Sequence, residues 1–159
     1  MRSTIRSLHG LTRPQLGLRE TLVLDMRVWP GDLNIGLHMD NVRYLQLMNE
    51  ARNLFFQRTG IRRVCLRRRL GLPLASCDMR YRRPLHAGQR YRLSTRIVDW
   101  DERRFEIVQR YERKGELIAE GHFHSAFTQA GKVVAPADVF AAIATAPAPA
   151  TQPGAAPEG

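Results

Sequence analysis

Val28-Trp29-Pro30-Gly31-Asp32-Leu33-Asn34-Ile35-Gly36-Leu37-His38-Met39-Asp40-Asn41-Val42-Arg43-Tyr44-Leu45 joins the end of a strand to the start of a helix through a polar loop. Upstream, Leu22, Leu24, Met26 and Val28 alternate with Val23, Asp25 and Arg27. That period of two predicts a half-buried strand over about residues 20–29. Pro30-Gly31 ends it, because proline has no N–H for the ladder. Downstream, Val42, Leu45, Met48, Ala51, Leu54 and Phe55 recur at helical spacing and predict a helix over 41–59, closed by Gly60. Asp40 or Asn41 suits its N-cap. The helix start offers unpaired N–H donors and a partial positive charge, a place to polarise a carbonyl oxygen.

Four more strands follow. Ala75, Cys77, Met79 and Tyr81 alternate with polar neighbours until Pro84, and His86-Ala87-Gly88 makes a turn. Tyr91, Leu93, Thr95 and Ile97 alternate up to Trp100, and Phe105, Ile107, Gln109 and Tyr111 alternate up to a hairpin at Lys114-Gly115. The last strand runs from Leu117 to Phe127, and Gly131 marks the domain's end. A helix must bury its apolar stripe, and a mostly antiparallel sheet offers one face to it. The order predicts an α+β domain in which a sheet wraps one central helix. It divides the chain into a basic arm (1–19), the domain (20–134) and an Ala/Pro-rich flexible tail (135–159), in which Phe140 and Ile143 have the spacing of a short helical turn.

The central stretch resembles the signature of the hotdog-fold thioesterases, in particular the 4-hydroxybenzoyl-CoA thioesterase group with its pattern D-x-D-x-x-G-H-V-N-N-x-x-Y. His38, Asn41, Arg43 and Tyr44 stand in register with Asp32. The resemblance covers about residues 20–130 and implies the hotdog fold, the same architecture that the strand and helix order predicts. It implies hydrolysis of an acyl thioester of coenzyme A or of an acyl carrier protein, with Asp32 as nucleophile or general base. It casts His38 as the group that orients substrate or assists proton transfer. Asp40, Asn41 and Tyr44 would meet substrate, although Tyr44, like Glu50, also fits a packing position on the helix. Acyl-carrier-protein thioesterases carry D-x-N-x-H from the motif's second Asp; here those positions are Asn34, Gly36 and His38, so Asn34 is the third catalytic candidate. Leu37 stands where the common pattern has glycine. No metal or redox cofactor is implied, and coenzyme A enters as part of the substrate.

Two alternatives remain. One is a non-catalytic hotdog module that binds acyl-CoA or an acyl carrier protein. The other is a hotdog enoyl-CoA hydratase, whose pattern G-D-x-N-P-x-H is similar to Gly31-Asp32-Leu33-Asn34. Here Ile35 replaces the proline, and one extra residue before His38 displaces the imidazole by up to ~3.5 Å.

The chain of 159 residues is long enough for one domain with a real core. No apolar run approaches the ~20 residues that span a bilayer. The N-terminus lacks the apolar segment of a secretory signal, so the cytoplasm is expected. Cys65 and Cys77 have neither metal spacing nor a disulfide framework. His122 and His124 share a strand face with no obvious third ligand, so no metal is expected. The formal net charge is +10, and all of the 25 basic residues except Lys114 and Lys132 are arginine. That balance suits phosphorylated partners. Arg62, Arg63, Arg67, Arg68 and Arg69 read either as a solvated linker or as a patch gripping the phosphates of coenzyme A or an acidic carrier. No aromatic residue interleaves them, which argues against single-stranded nucleic acid. An open edge strand predicts a homodimer or homotetramer with sites at the subunit boundary.

Overall fold

In a computed structural model, which describes residues 15–145, a five-stranded antiparallel sheet wraps around one long helix. The elements run β1 (Leu22–Arg27), α1 (Asn41–Thr59), α2 (Ile61–Arg68), β2 (Leu74–Tyr81), β3 (Arg90–Trp100), β4 (Phe105–Arg113), β5 (Glu116–Ser125), β6 (Phe127–Gln129), β7 (Lys132–Val134) and α3 (Pro136–Thr145). The sheet order is β1-β3-β4-β5-β2, so α1 and α2 intervene before the chain returns at the far edge. The fold is the hotdog arrangement that strand order and motif both predict.

Period two decides which face meets the helix. Leu22, Leu24 and Met26 of β1, Leu93 and Ile97 of β3, Ile107 and Tyr111 of β4 and Phe123 of β5 are buried against Leu47, Met48, Ala51 and Phe55 of α1. Asp40 caps α1, its Oδ1 accepting the Val42 N–H at 2.7 Å. Gly60 ends the helix with φ 87°, a left-handed conformation that only glycine adopts without a Cβ penalty. The β4–β5 hairpin turns on Lys114 (φ 50°) and Gly115 (φ 79°), the two positive φ values that its tight turn requires.

Three expectations change. Residues 61–68 are not a linker: Gly60, having ended α1, also starts α2, and Ile61, Val64 and Cys65 at helical spacing are buried. The tail expected from 135 opens as helix α3, which buries Val139 and Phe140. Phe140 packs on Trp100 (ring centroids 5.1 Å) and on Phe105 and Phe127 (both 5.8 Å), so the domain continues past Gly131. The last long strand stops at Ser125, and Phe127 belongs to a separate two-stranded ribbon, β6–β7. Of the basic arm, residues 1–14 lie outside the described residues. Leu16 donates its N–H to the Arg58 carbonyl at 3.1 Å, and the Arg19 guanidinium lies 4.5 Å from the Trp100 ring centroid. No helix among the described residues is long and apolar enough to cross a membrane.

On the outer face of the sheet His122 joins two carboxylates across β4 and β5. Its Nδ1 lies 2.6 Å from Glu106 Oε1 and its Nε2 3.0 Å from Glu120 Oε1. Glu120 also accepts from Arg110. Hydrogen bonding to Glu106, then to Glu120, raises the His122 pKa. The same His122 bond is the main cause holding the Glu120 carboxyl below its usual range. A raised folded-state pKa stabilises fully below the unfolded value of about 6.5 and is lost as pH rises through the folded value. Thermal melts between about pH 5.5 and 8.5 should therefore show a stability decrement in the parent that His122→Gln flattens. An unchanged profile in the variant would place the pH dependence elsewhere.

Candidate active site

The polar loop is a small closed structure. Pro30–Asp32 forms a single 3-10 turn after β1. Leu33 and Met39 then pair as an antiparallel bridge, the Asn34 N–H donates to the His38 carbonyl at 2.9 Å, and Ile35, Gly36 and Leu37 form an exposed tip. Leu37, which stands at the glycine of the related pattern, has φ 59°. A leucine carries that left-handed turn at a steric cost of about 1 kcal/mol. The base of the loop is stitched to the body by Met39 N–H to the Leu85 carbonyl (2.7 Å) and Asp40 N–H to the Asp32 carbonyl (2.9 Å).

Asp32, expected to be the reacting carboxylate, is only 5% exposed. Its Oδ2 accepts the Trp29 N–H at 2.8 Å, which closes the 3-10 turn on itself. Its Oδ1 accepts from Arg43 Nε at 2.7 Å, which ties the turn to the first turn of α1. The carboxylate therefore fixes the loop against the helix. Arg43 was visible in the motif, but nothing in the sequence showed that a residue eleven positions from Asp32 would be its partner.

Asn34 and His38 do come together. Asn34 Nδ2 lies 3.4 Å from His38 Nδ1, and Asn34 Oδ1 accepts the Gly36 N–H at 2.9 Å, so the amide is oriented by the loop it sits in. His38 Nδ1 also lies 3.5 Å from the Met39 carbonyl oxygen. A Cβ added at Gly36 would stand 2.9 Å from His38 Nε2, so the missing side chain keeps that nitrogen open. His38 is half-buried, and its backbone bridges His86 in the loop before β3.

The remaining candidates divide. Asp40 spends its carboxylate on the helix cap. Arg43 and Tyr44 donate their N–H groups to the Asp40 carbonyl at 2.9 and 3.2 Å, and Val42 to the Asp40 carboxylate, whereas Asn41, exposed at the first helical position, has an N–H with no acceptor inside the helix. Tyr44 is a core residue, 3% exposed, edge-on to Tyr81 and Tyr111, and burial pushes its pKa up to about 12. Its backbone carbonyl accepts the Tyr111 hydroxyl at 2.9 Å. Arg62, Arg63, Arg67 and Arg68 lie on α2, at the opposite end of α1 from the loop. With a rise of ~1.5 Å per residue, the helix separates them from it by about 28 Å. The structure does not bring these arginines to the loop of the same protomer. Among the described residues no group of three His, Cys, Asp or Glu is placed to hold a metal ion.

Comparison with known proteins follows the same lines. Residues 28–150 match the Thioesterase-like superfamily. A protein named THEM6 from Xenopus laevis is 34% identical over 84 residues, 53% of this chain and 41% of the relative. THEM6 of Danio rerio is 34% identical over 94 residues, 59% of this chain and 46% of the relative. The matched stretch spans less than half the length of these relatives. Among solved structures, the probable thioesterase YbaW of Escherichia coli superposes with a TM-score of 0.70 at 15% identity, over 77% of this chain and 95% of the other. A 1,4-dihydroxy-2-naphthoyl-CoA thioesterase of Synechocystis superposes with a TM-score of 0.67 at 16% identity, over 78% and 95%. These likenesses are of fold.

The geometry assigns Asp32 a stability role that is measurable. Asp32→Asn leaves the Arg43 guanidinium facing a neutral amide in a site where the two side chains are 13% and 6% exposed. Breaking such a pair costs about 3 kcal/mol, so denaturant unfolding should show a loss of that order. A loss below about 0.5 kcal/mol, the range of ordinary surface changes, would show that the pair does not hold the loop.

Proposed function

The chain belongs to the thioesterase-like superfamily, and on that footing we propose that it hydrolyses an acyl thioester, of coenzyme A or of an acyl carrier protein, to the free acid and the thiol. The observation that carries the reading is the His38 imidazole in the loop that leads into the N-terminus of α1, with Nε2 left open by Gly36. In this mechanism His38 Nε2 takes a proton from water as the water oxygen bonds to the thioester carbonyl carbon. The carbonyl oxygen becomes an oxyanion, which the Asn41 N–H and the positive end of the helix stabilise. The C–S bond then breaks, and the imidazolium returns its proton to the departing thiolate. With Nε2 as the accepting nitrogen, Nδ1 carries the ring hydrogen and directs it at the Met39 carbonyl, 3.5 Å away, while the Asn34 amide holds the loop turn through the Gly36 N–H. Asp32 is a positioning residue that acts through Trp29 and Arg43. The hydrolysis as written draws on no metal or redox cofactor.

A second reading has its own support. Both carboxylates of the loop are engaged, Asp32 by Trp29 and Arg43 and Asp40 by the helix cap. A module that binds an acyl thioester without cleaving it needs neither of them. Release of free thiol from a panel of short-, medium-, long-chain and aromatic acyl-CoA separates the two. Hydrolysis by the parent should fall about 10²-fold or more in kcat with His38→Gln. It should also fall with Gly36→Ala, whose added methyl displaces the imidazole without a positive φ to strain the backbone. A parent that binds but releases no thiol would favour the binding module, and full activity in both variants would remove His38 from the chemistry.

We also propose that the active form is a homodimer. β2 lies at the sheet's edge, has no strand partner on its outer side among the described residues, and is exposed along nearly its whole length. An unpaired edge of this kind is a template for pairing with another chain. Light scattering at micromolar concentration should give twice the chain mass of 18.2 kDa. The mass of a single chain would contradict pairing through β2.

A further inference from the structure

Among the described residues, the buried charge of Arg52 on the inner face of α1 has no carboxylate within ion-pair distance. We propose that Arg52 is a specificity-determining residue that receives a distal carboxylate on the acyl group, so that the preferred thioester carries a second, remote carboxyl. The inference rests on the thioester reading and names the acyl class for it.

The position of Arg52 follows from the helix. Val42, Leu45, Asn49 and Arg52 recur at three- and four-residue spacing and form one stripe of α1. Val42 and Leu45 are exposed apolar residues, and Asn49 is exposed as well. Across from them lies the inner face of β2. Cys77 and Met79 stand opposite Phe123 and Gly121 of β5 in the ladder, and Tyr81 donates its hydroxyl to the Asn41 carbonyl at 3.2 Å. Tyr81 thus ties β2 to the N-terminus of α1. At the other end of the stripe the Arg52 guanidinium lies 3.9 Å from the Phe123 ring centroid, beside the Cys77 position. A face of exposed side chains on α1 and β2 thus leads from the N-terminus of α1, where the thioester reading puts the reacting carbonyl, to a cation. Eleven residues separate Asn41 from Arg52, which is about 16 Å along the axis.

The surroundings of Arg52 are neutral and rigid. It is 8% exposed. Arg52 Nη1 donates to Gln109 Oε1 at 2.8 Å and Nη2 to Asn49 Oδ1 at 3.3 Å. Gln109 is itself locked, its Nε2 donating to the Met48 carbonyl (3.0 Å) and to Thr95 Oγ1 (2.8 Å), which aims its oxygen at the guanidinium. No carboxylate lies within ion-pair distance of Arg52 among the described residues. Burial brings its pKa down to about 10, which still leaves it charged at neutral pH. A desolvated cation held by neutral dipoles and an aromatic face remains costly until an anion reaches it. Two N–H groups are used by Gln109 and Asn49, and a guanidinium has five in a fork that matches a carboxylate. Charge and hydrogen-bonding geometry at the end of this face therefore select an acyl chain with a carboxylate terminus over one that ends in a methyl group.

The test compares saturated acyl-CoA thioesters of equal chain length that end in methyl or in carboxylate. Hydrolysis and calorimetric binding are both measured, for the parent, R52M and R52K. The corresponding free dicarboxylic and monocarboxylic acids are titrated alongside. The parent should prefer the carboxylate-terminated thioester by about 100-fold in kcat/KM, the scale of removing one partner from a buried charge pair. R52M should abolish that preference while retaining the methyl-terminated substrate, and R52K should keep a reduced preference. If no thioester is cleaved but the dicarboxylic acid binds in an Arg52-dependent manner, the hydrolytic reading falls and this inference stands. A parent without preference, or a preference that survives in R52M, overturns it. Should R52M not fold, a parent preference that R52K leaves undiminished overturns it equally.

Discussion

The bond between Asp32 and Arg43 is the constraint on which the rest of the site depends. It is short, 2.7 Å, and its two side chains are nearly withdrawn from water. One partner sits in the turn that ends β1 and the other in the first turn of α1. The Trp29 N–H holds the second carboxylate oxygen, so three points of backbone meet at one carboxylate. The loop that carries Asn34 and His38 is then suspended between two anchored ends and cannot drift from the helix N-terminus. A short charge-assisted bond of this kind is stronger than a neutral one, and breaking it removes one of two opposite charges from a site nearly withdrawn from water.

That anchor redistributes the chemistry. The motif suggests that the first aspartate reacts; in the mechanism proposed above it braces the loop instead, held by the Trp29 N–H and Arg43. The groups that remain for chemistry at the helix start are the His38 imidazole and the Asn41 backbone N–H. In the proposed mechanism they serve hydrolysis by activated water, because the attacking water and the oxyanion need positioned partners rather than a covalent nucleophile. The two ends of α1 then serve different purposes. Its N-terminus faces the loop, and its C-terminus runs through Gly60 into the arginine-bearing α2, a helix length away. Between them Arg52 puts a charge where a core residue would normally be apolar.

Much of the fold was legible in the sequence because two simple periods wrote it. Alternation marked β1, β3, β4 and β5, the three-four spacing marked α1, and Gly60 and Lys114-Gly115 marked a helix end and a hairpin by their need for positive φ. The helix α2 was hidden because its arginines crowd Ile61, Val64 and Cys65, the short apolar side that folds it. α3 was hidden because alanine and proline suggest a tail, while Phe140 finds an aromatic pocket that only tertiary structure assembles. In the site, residue types were legible and pairings were not. Asp32 and Arg43, or Arg52 and Gln109, meet across elements, and no local spacing encodes such a meeting.

The central claim, that Asp32 braces the loop rather than reacts, is tested most directly by a double-mutant cycle over Asp32→Asn and Arg43→Met. Unfolding free energy and thioester turnover are measured on the same four proteins. If Asp32 and Arg43 act as one brace, either single change should cost nearly as much as both together, in stability and in turnover, with a coupling energy of about 1–3 kcal/mol. If Asp32→Asn abolishes turnover while stability and the effect of Arg43→Met remain independent of it, the carboxylate itself takes part in the reaction and the account is wrong.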